Sequence, residues 1–181
     1  EGLAPRGTVV CIPGLTRNAA DFDALAQTLT DEGWRVIAVD MRGLGDSSRP
    51  TTGYDTRTVA QDIWRLMTEV LDERCFHVVA HDWGGPVAYA LAALHRQAVM
   101  SMAIFDAPVP GDGSVLTAMG RWHFGFHAES DLPEALIESD PARYVRGVMG
   151  ARHAGLAPFA PEVLAQRRRN IVDMVLRFVQ A

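Results

Sequence analysis

The chain has 181 residues, 48% of them hydrophobic and 22% charged, the composition of an ordinary globular protein with enough apolar material for one buried core. Its formal net charge of -5 is carried by interspersed acidic and basic residues, so no basic face collects phosphates and nucleic acid is not an expected partner. No apolar run reaches the roughly 20 residues that span a bilayer and no cleavable leader is seen, which makes a soluble, cytoplasmic chain the default expectation. Cys11 and Cys75 lack CxxC or Cys/His ligand spacing, and both read as small buried apolar residues.

In chain order, Thr8–Ile12 is a short β-branched apolar run ended by Pro13-Gly14, and residues 35–39 repeat that pattern before Asp40. Both read as buried parallel strands. Between them, Phe22, Leu25, Ala26 and Leu29 recur at helical spacing over residues 21–31, and Gly33 stops the helix. Val59, Ile63, Leu66, Met67 and Val70 give a second helix over 56–71, followed by a third apolar strand over 76–80. A helix over 86–94 and a strand over 101–105 continue the alternation, which predicts an α/β fold with a mostly parallel, doubly wound sheet covered by helices on both faces.

After Pro108 the style changes. Pro108, Pro110, Gly111 and Gly113 break the chain, and an aromatic, helix-forming stretch over 116–149 follows without strand signals, as an inserted lid would. The run Arg167-Arg168-Arg169 reads as a solvated helix face or linker, and 171–179 as a last amphipathic helix. The expected organisation is a core over 1–107, a helical lid over 108–165 and a C-terminal helix over 166–181.

The third strand runs straight into Ala80-His81-Asp82-Trp83-Gly84-Gly85, a small-x-nucleophile-x-small-small turn before a helix, which is the pattern of a nucleophile elbow. Small residues let the backbone turn sharply while the central side chain is pushed over the carboxyl end of the sheet, where open α/β sheets bind ligands. The helix that follows aims its positive end at the same place. An ionised Asp82 already has its lone pair and needs no base to become a nucleophile. On local sequence alone Asp82 reads equally as an N-cap of the next helix.

Four pieces in fixed order resemble the epoxide hydrolase and haloalkane or haloacetate dehalogenase branch of the α/β-hydrolases: Met41-Arg42-Gly43-Leu44-Gly45-Asp46-Ser47, His81-Asp82-Trp83-Gly84-Gly85, Asp106-Ala107-Pro108 and Trp122-His123-Phe124. The likeness covers residues from about 8 to 165. It implies an α/β-hydrolase fold with a lid, and an aspartate nucleophile, Asp82, that opens a small apolar electrophile, an epoxide or an alkyl halide, as a covalent ester. Water then hydrolyses the ester. No cofactor and no metal is called for. The resemblance places an oxyanion hole on the backbone N–H groups of Leu15 and Trp83, although the usual His-Gly-x-Pro of that loop appears as Pro13-Gly14-Leu15-Thr16. It makes Asp106 the acid that orients a catalytic histidine; without it, Asp106 reads as a turn residue before Pro108. It makes His123 a lid donor to the leaving oxygen or halide, whereas a histidine among aromatics otherwise reads as core, as His127 does. Trp83 offers its indole to a halide or packs as core, and Tyr144 is a further candidate lid donor. The epoxide hydrolase type is favoured because the elbow lacks the arginine that haloacetate dehalogenases place near the nucleophile.

The branch carries its general base, a histidine, after the last strand and beyond the lid. His77 lies at the wrong end of the sheet, His81 is expected to point behind the elbow, His95 closes a helix, and His153 falls in the lid-like stretch with no strand after it. The base and the two strands that would carry it are therefore expected to be missing, the last strands of the sheet with them, and an apolar sheet edge is expected to be exposed. A catalytically incomplete fragment is the alternative that this leaves beside epoxide hydrolase and dehalogenase.

Overall fold

Two central strands, the first and the third in the chain, organise the molecule. The computed structural model describes residues 6–107, 111, 113, 122–127, 129 and 131–150. Strand β1 (Thr8–Ile12) is buried along its whole length. A 3-10 turn (Ala19–Phe22) leads into helix α1 (Asp23–Asp31), and β2 (Arg35–Ala38) follows. Helix α2 (Thr56–Arg65) starts on Asp55, whose carboxylate accepts the N–H of Thr58 at 2.9 Å, and passes into a π-helical turn (Leu66–Val70). Strand β3 (Phe76–His81), helix α3 (Gly84–Leu94) and strand β4 (Val99–Phe105) complete the α/β alternation. Helices α4 (Trp122–His127), α5 (Leu132–Ser139) and α6 (Pro141–Gly150) follow, with no strand between them among the described residues.

The sheet is parallel throughout, in the order β2-β1-β3-β4. Register pairs Cys11 with Ala38 on one side of β1 and Ile12 with Ala80 on the other, while His81 pairs with Phe105. Side chains of alternating sense feed two cores. On one face Val10, Ile12, Phe76, Val78 and Ala80 meet Val59, Ile63 and Met67 of the α2 segment and Val87, Ala88 and Leu91 of α3. On the other, Val9, Cys11 and Phe22 are joined by Leu29, Trp34, Val36 and Val79. Helices thus lie on both faces, as the alternation predicts.

Several expectations need correction. Strand β2 is not a buried strand: Arg35 is exposed and the other residues only half-buried, because among the described residues it is a sheet edge with a partner on one side alone. The helix over 21–31 is really two pieces, and α1 buries no residue fully; its Leu25 remains 36% exposed, since the helix covers only the thin β1–β2 flank. Cys11 is buried, and burial pushes its thiol up to about 11. Cys75, one residue before β3, is exposed instead. Strand β4 is the other edge, with Met100, Met102 and Phe105 open to solvent, as expected of a sheet that ends there among the described residues. Residues 108–110, 112 and 114–121, His153, the run 167–169 and the helix expected over 171–179 lie outside the described residues.

Leu91 of α3 is fully buried and Met100 of β4 is 62% exposed. Urea denaturation should therefore show Leu91→Ala losing about 2–5 kcal/mol, through lost transfer energy plus a cavity, against less than about 0.5 kcal/mol for Met100→Ser.

Candidate active site

In the order β2-β1-β3-β4 the chain leaves β1 toward one edge and β3 toward the other, so the loops after these neighbouring strands diverge and leave a crevice at their carboxyl ends. Asp82 stands on one side of it. Its backbone has φ = 51°, a left-handed conformation that disfavours most L-residues by roughly 1–2 kcal/mol, and its N–H bonds the C=O of Phe105 at 3.0 Å while its C=O accepts from Gly85 at 2.9 Å. The two bonds lock the sharp turn between β3 and α3. Leu15 stands on the other side of the crevice, and its N–H donates to Oδ1 of Asp82 at 2.8 Å.

Close approach across the crevice depends on two glycines. A Cβ at Gly14 would lie 2.6 Å from Cβ of Asp82 and 2.8 Å from its Oδ1. A Cβ at Gly84 would lie 2.4 Å from the C=O of Ile12. The elbow can therefore sit against the loop after β1 only because both side chains are missing. Departure from the His-Gly-x-Pro pattern around Leu15 leaves its N–H aimed at the carboxylate all the same.

Trp83 is the N-cap residue of α3, half-buried and packed against the main core. Asp106 follows β4 directly, again with a left-handed backbone (φ = 46°), so that it and Asp82 leave adjacent strand ends. His81 turns to the α1 side, where it lines a cleft of about 280 Å³ with Pro13, Arg17, Asp21, Phe22 and Phe105. Burial, and then the charge of Arg17, lower its pKa against the opposing pull of Asp82 and Asp106, so the imidazole is neutral at pH 7. His77 lies in β3, bonded to Ser101 at 2.7 Å and in edge contact with Trp34, and His95 stacks on Trp64 at 3.9 Å.

His123 is half-buried in α4, one turn before His127. His127 is buried, and its Nε2 is hydrogen bonded to the hydroxyl of Tyr144 in α6, so α4 and α6 are joined by this pair and by the Phe126–Tyr144 ring contact at 6.1 Å. Tyr144 is engaged inside the helical segment, and burial raises its pKa. Sequence reading missed this pair, because a Tyr 17 residues after a His has no periodic signature. What the structure joins directly is Asp82 with Leu15, and beside them the strand end that bears Asp106.

Two measurements check these arrangements. Gly14→Ala forces Cβ into Asp82, so the Leu15 amide should exchange its hydrogen faster and the protein should lose about 1–3 kcal/mol. Burial first, and the charge of His123 second, lower the pKa of His127 to about 4 from 6.5. Between those two values the unfolded chain takes up a proton that the folded chain refuses, so this group's contribution to stability is present above about pH 6.5 and is lost as pH falls toward 4. An NMR titration should find the His127 ring neutral down to about pH 4, and the loss of stability over that window should be smaller in His127→Gln.

The chain is similar to proteins of known family. A family model described as alpha/beta hydrolase fold matches residues 7–131. The chain is 35% identical over 152 residues to a soluble epoxide hydrolase of Corynebacterium sp. strain C12, which covers 79% of this chain and 51% of the relative. It is 30% identical over 178 residues to a fluoroacetate dehalogenase of Burkholderia sp., covering 91% and 57% respectively. Among solved structures, Cfl2 from Burkholderia cenocepacia is similar with a TM-score of 0.80 at 30% identity, over 99% of this chain and 65% of that one. The chain spans about half the length of the curated relatives it matches. No helix among the described residues is long and apolar enough to cross a membrane. By its sheet order, its elbow and this match, the chain belongs to the α/β-hydrolase fold family.

Proposed function

We propose that Asp82 is the nucleophile of a hydrolase of the epoxide hydrolase type, acting on a small apolar epoxide with water as second substrate, beneath a lid to which helices α4–α6 belong. The observation that supports this most is the 2.8 Å bond from the N–H of Leu15 to Oδ1 of Asp82. It divides the labour between the two carboxylate oxygens. Oδ1 is held by the loop after β1, which leaves Oδ2 to attack carbon. The C–O bond of the epoxide breaks, its electron pair goes to the epoxide oxygen, and a donor protonates that oxygen to give a hydroxyalkyl ester on Asp82. Water then adds to the ester carbonyl and gives its proton to a base. Charge builds on Oδ1, where the N–H of Leu15 already lies, with that of Trp83 as its partner donor. Collapse releases the diol and restores the carboxylate.

In this reading His123 supplies the proton to the leaving oxygen from the lid, and Asp106 stands where it would orient a histidine base, a residue that none of the described histidines supplies, so the ester forms faster than it is hydrolysed. The left-handed turn of Asp106 beside the elbow suits that role, since it puts the residue at a neighbouring strand end. One observation supports a second reading. The likeness to a fluoroacetate dehalogenase runs over 91% of the chain, and there the leaving atom would be a halide received by Trp83 and His123.

Intact-mass spectrometry after incubation with a reactive epoxide, and separately with a haloacetate, should show one added group that Asp82→Ala does not take. An adduct of equal yield in Asp82→Ala, or none in the parent chain, overturns the nucleophile. His123→Phe should slow adduct formation about 100-fold if the imidazole protonates the leaving oxygen. Halide release against diol formation separates the two readings.

A further inference from the structure

Asp40, two residues beyond β2, has its whole carboxylate engaged by backbone donors. Oδ1 accepts the N–H of Ala19 at 2.7 Å and Oδ2 accepts that of Asp46 at 2.9 Å, while its own C=O accepts the Ser47 hydroxyl at 2.6 Å. Ala19 belongs to the loop that leaves β1 and Asp46 to the loop that leaves β2. The carboxylate thus ties the two together. Gly45 makes room for it: with φ = 48°, a Cβ there would fall 1.8 Å from Oδ2 of Asp40.

The loop after β1 turns on a bond from the N–H of Arg17 to the C=O of Gly14 at 3.2 Å, with Thr16 at φ = 66°. Two of its backbone donors reach carboxylates elsewhere in the chain, Leu15 to Asp82 and Ala19 to Asp40. The first of these weakens during the proposed reaction. Once Asp82 is an ester its oxygen is a neutral carbonyl, and a charge-assisted bond roughly twice as strong as a neutral one is lost. The loop then has to be held from its other end, at the stage when the N–H of Leu15 must face the developing oxyanion.

We propose that Asp40 is a positioning residue that keeps the N–H of Leu15 aimed at Asp82 after the carboxylate has become an ester, by holding Ala19 and Asp46; this rests on the reading of Asp82 as nucleophile. Asp40 acts from a distance and does not touch the reacting atoms.

The test labels the chain with an epoxide and then adds hydroxylamine. Its nitrogen bonds to the ester carbonyl carbon of Asp82, the bond to the alkyl oxygen breaks, and a proton passes from nitrogen to the departing alkoxide, leaving a hydroxamic acid on Asp82 and a free diol. The step crosses the same oxyanion without calling on an enzymic base. Asp40→Ala should take the label within about threefold of the parent rate but lose it to hydroxylamine about tenfold more slowly. Gly45→Ala, which drives a methyl group into the same carboxylate, should behave likewise. Asp62→Ala is the control: it removes the two bonds, at 2.6 and 2.7 Å, that Asp62 accepts from Arg42 of the same loop, and should lower stability without changing the rate of label loss. Equal rates of label loss in Asp40→Ala and the parent overturn the proposal. Hydrogen exchange is read on unlabelled protein in parallel. Faster exchange at Leu15 and Ala19 in Asp40→Ala, and not in Asp62→Ala, supports the tie, and unchanged exchange overturns it, whether or not Asp82 takes the label. A parent chain that takes no label overturns the nucleophile instead.

Discussion

One hydrogen bond, from the backbone of Leu15 to the carboxylate of Asp82, sets the constraint that the surrounding structure has to meet. It spans 67 residues of sequence, so it exists only if β1 and β3 are neighbours in the sheet and their loops diverge. The register that pairs Ile12 with Ala80 brings the two strand ends level. The missing side chains at Gly14 and Gly84 let them touch. The left-handed backbone of Asp82 then turns its carboxylate toward the facing N–H rather than into α3. Each of these is a local choice, and none is useful without the others.

The energetics of the two cores follow the same division. The α2–α3 side is filled by large, fully buried residues such as Phe76, Met67 and Leu91, and it fixes the position of β3 and of the elbow at its end. The α1 side is thin, and His81 sits there half-buried beside a cleft. The elbow that bears Asp82 thus leaves a strand anchored in the more fully buried of the two cores. In the proposed reaction, a donor fixed before the charge develops would need no reorganisation when it does, which is how such a site stabilises charge.

Much of the fold could be read from the amino acids, because the switch from runs of β-branched residues to helical spacing is a property of single segments. Thr8–Ile12 and α3 are the plainest cases. What could not be read is what depends on neighbours. Residues 35–38 are apolar enough for a central strand, yet β2 is an edge, and nothing in Arg-Val-Ile-Ala distinguishes the two. Cys75 is apolar by type and exposed by position, one residue outside a strand. The sharp turn at Asp82 was legible through the small residues around it. The role proposed for Leu15 came only through resemblance, because its donor is an N–H that every residue but proline carries. Asp40 was hidden for the same reason: its partners are main-chain donors, and the nearest visible sign was the glycine at 45.

The left-handed turn at Asp82 also bears on how this sequence can drift. Glycine would occupy φ = 51° without strain, and asparagine with less than most residues, so the thermodynamically easy replacements at this site are ones that carry no carboxylate. An aspartate at this turn, with Gly14 and Gly84 bare around it, therefore carries its carboxylate on a backbone that glycine would adopt more easily.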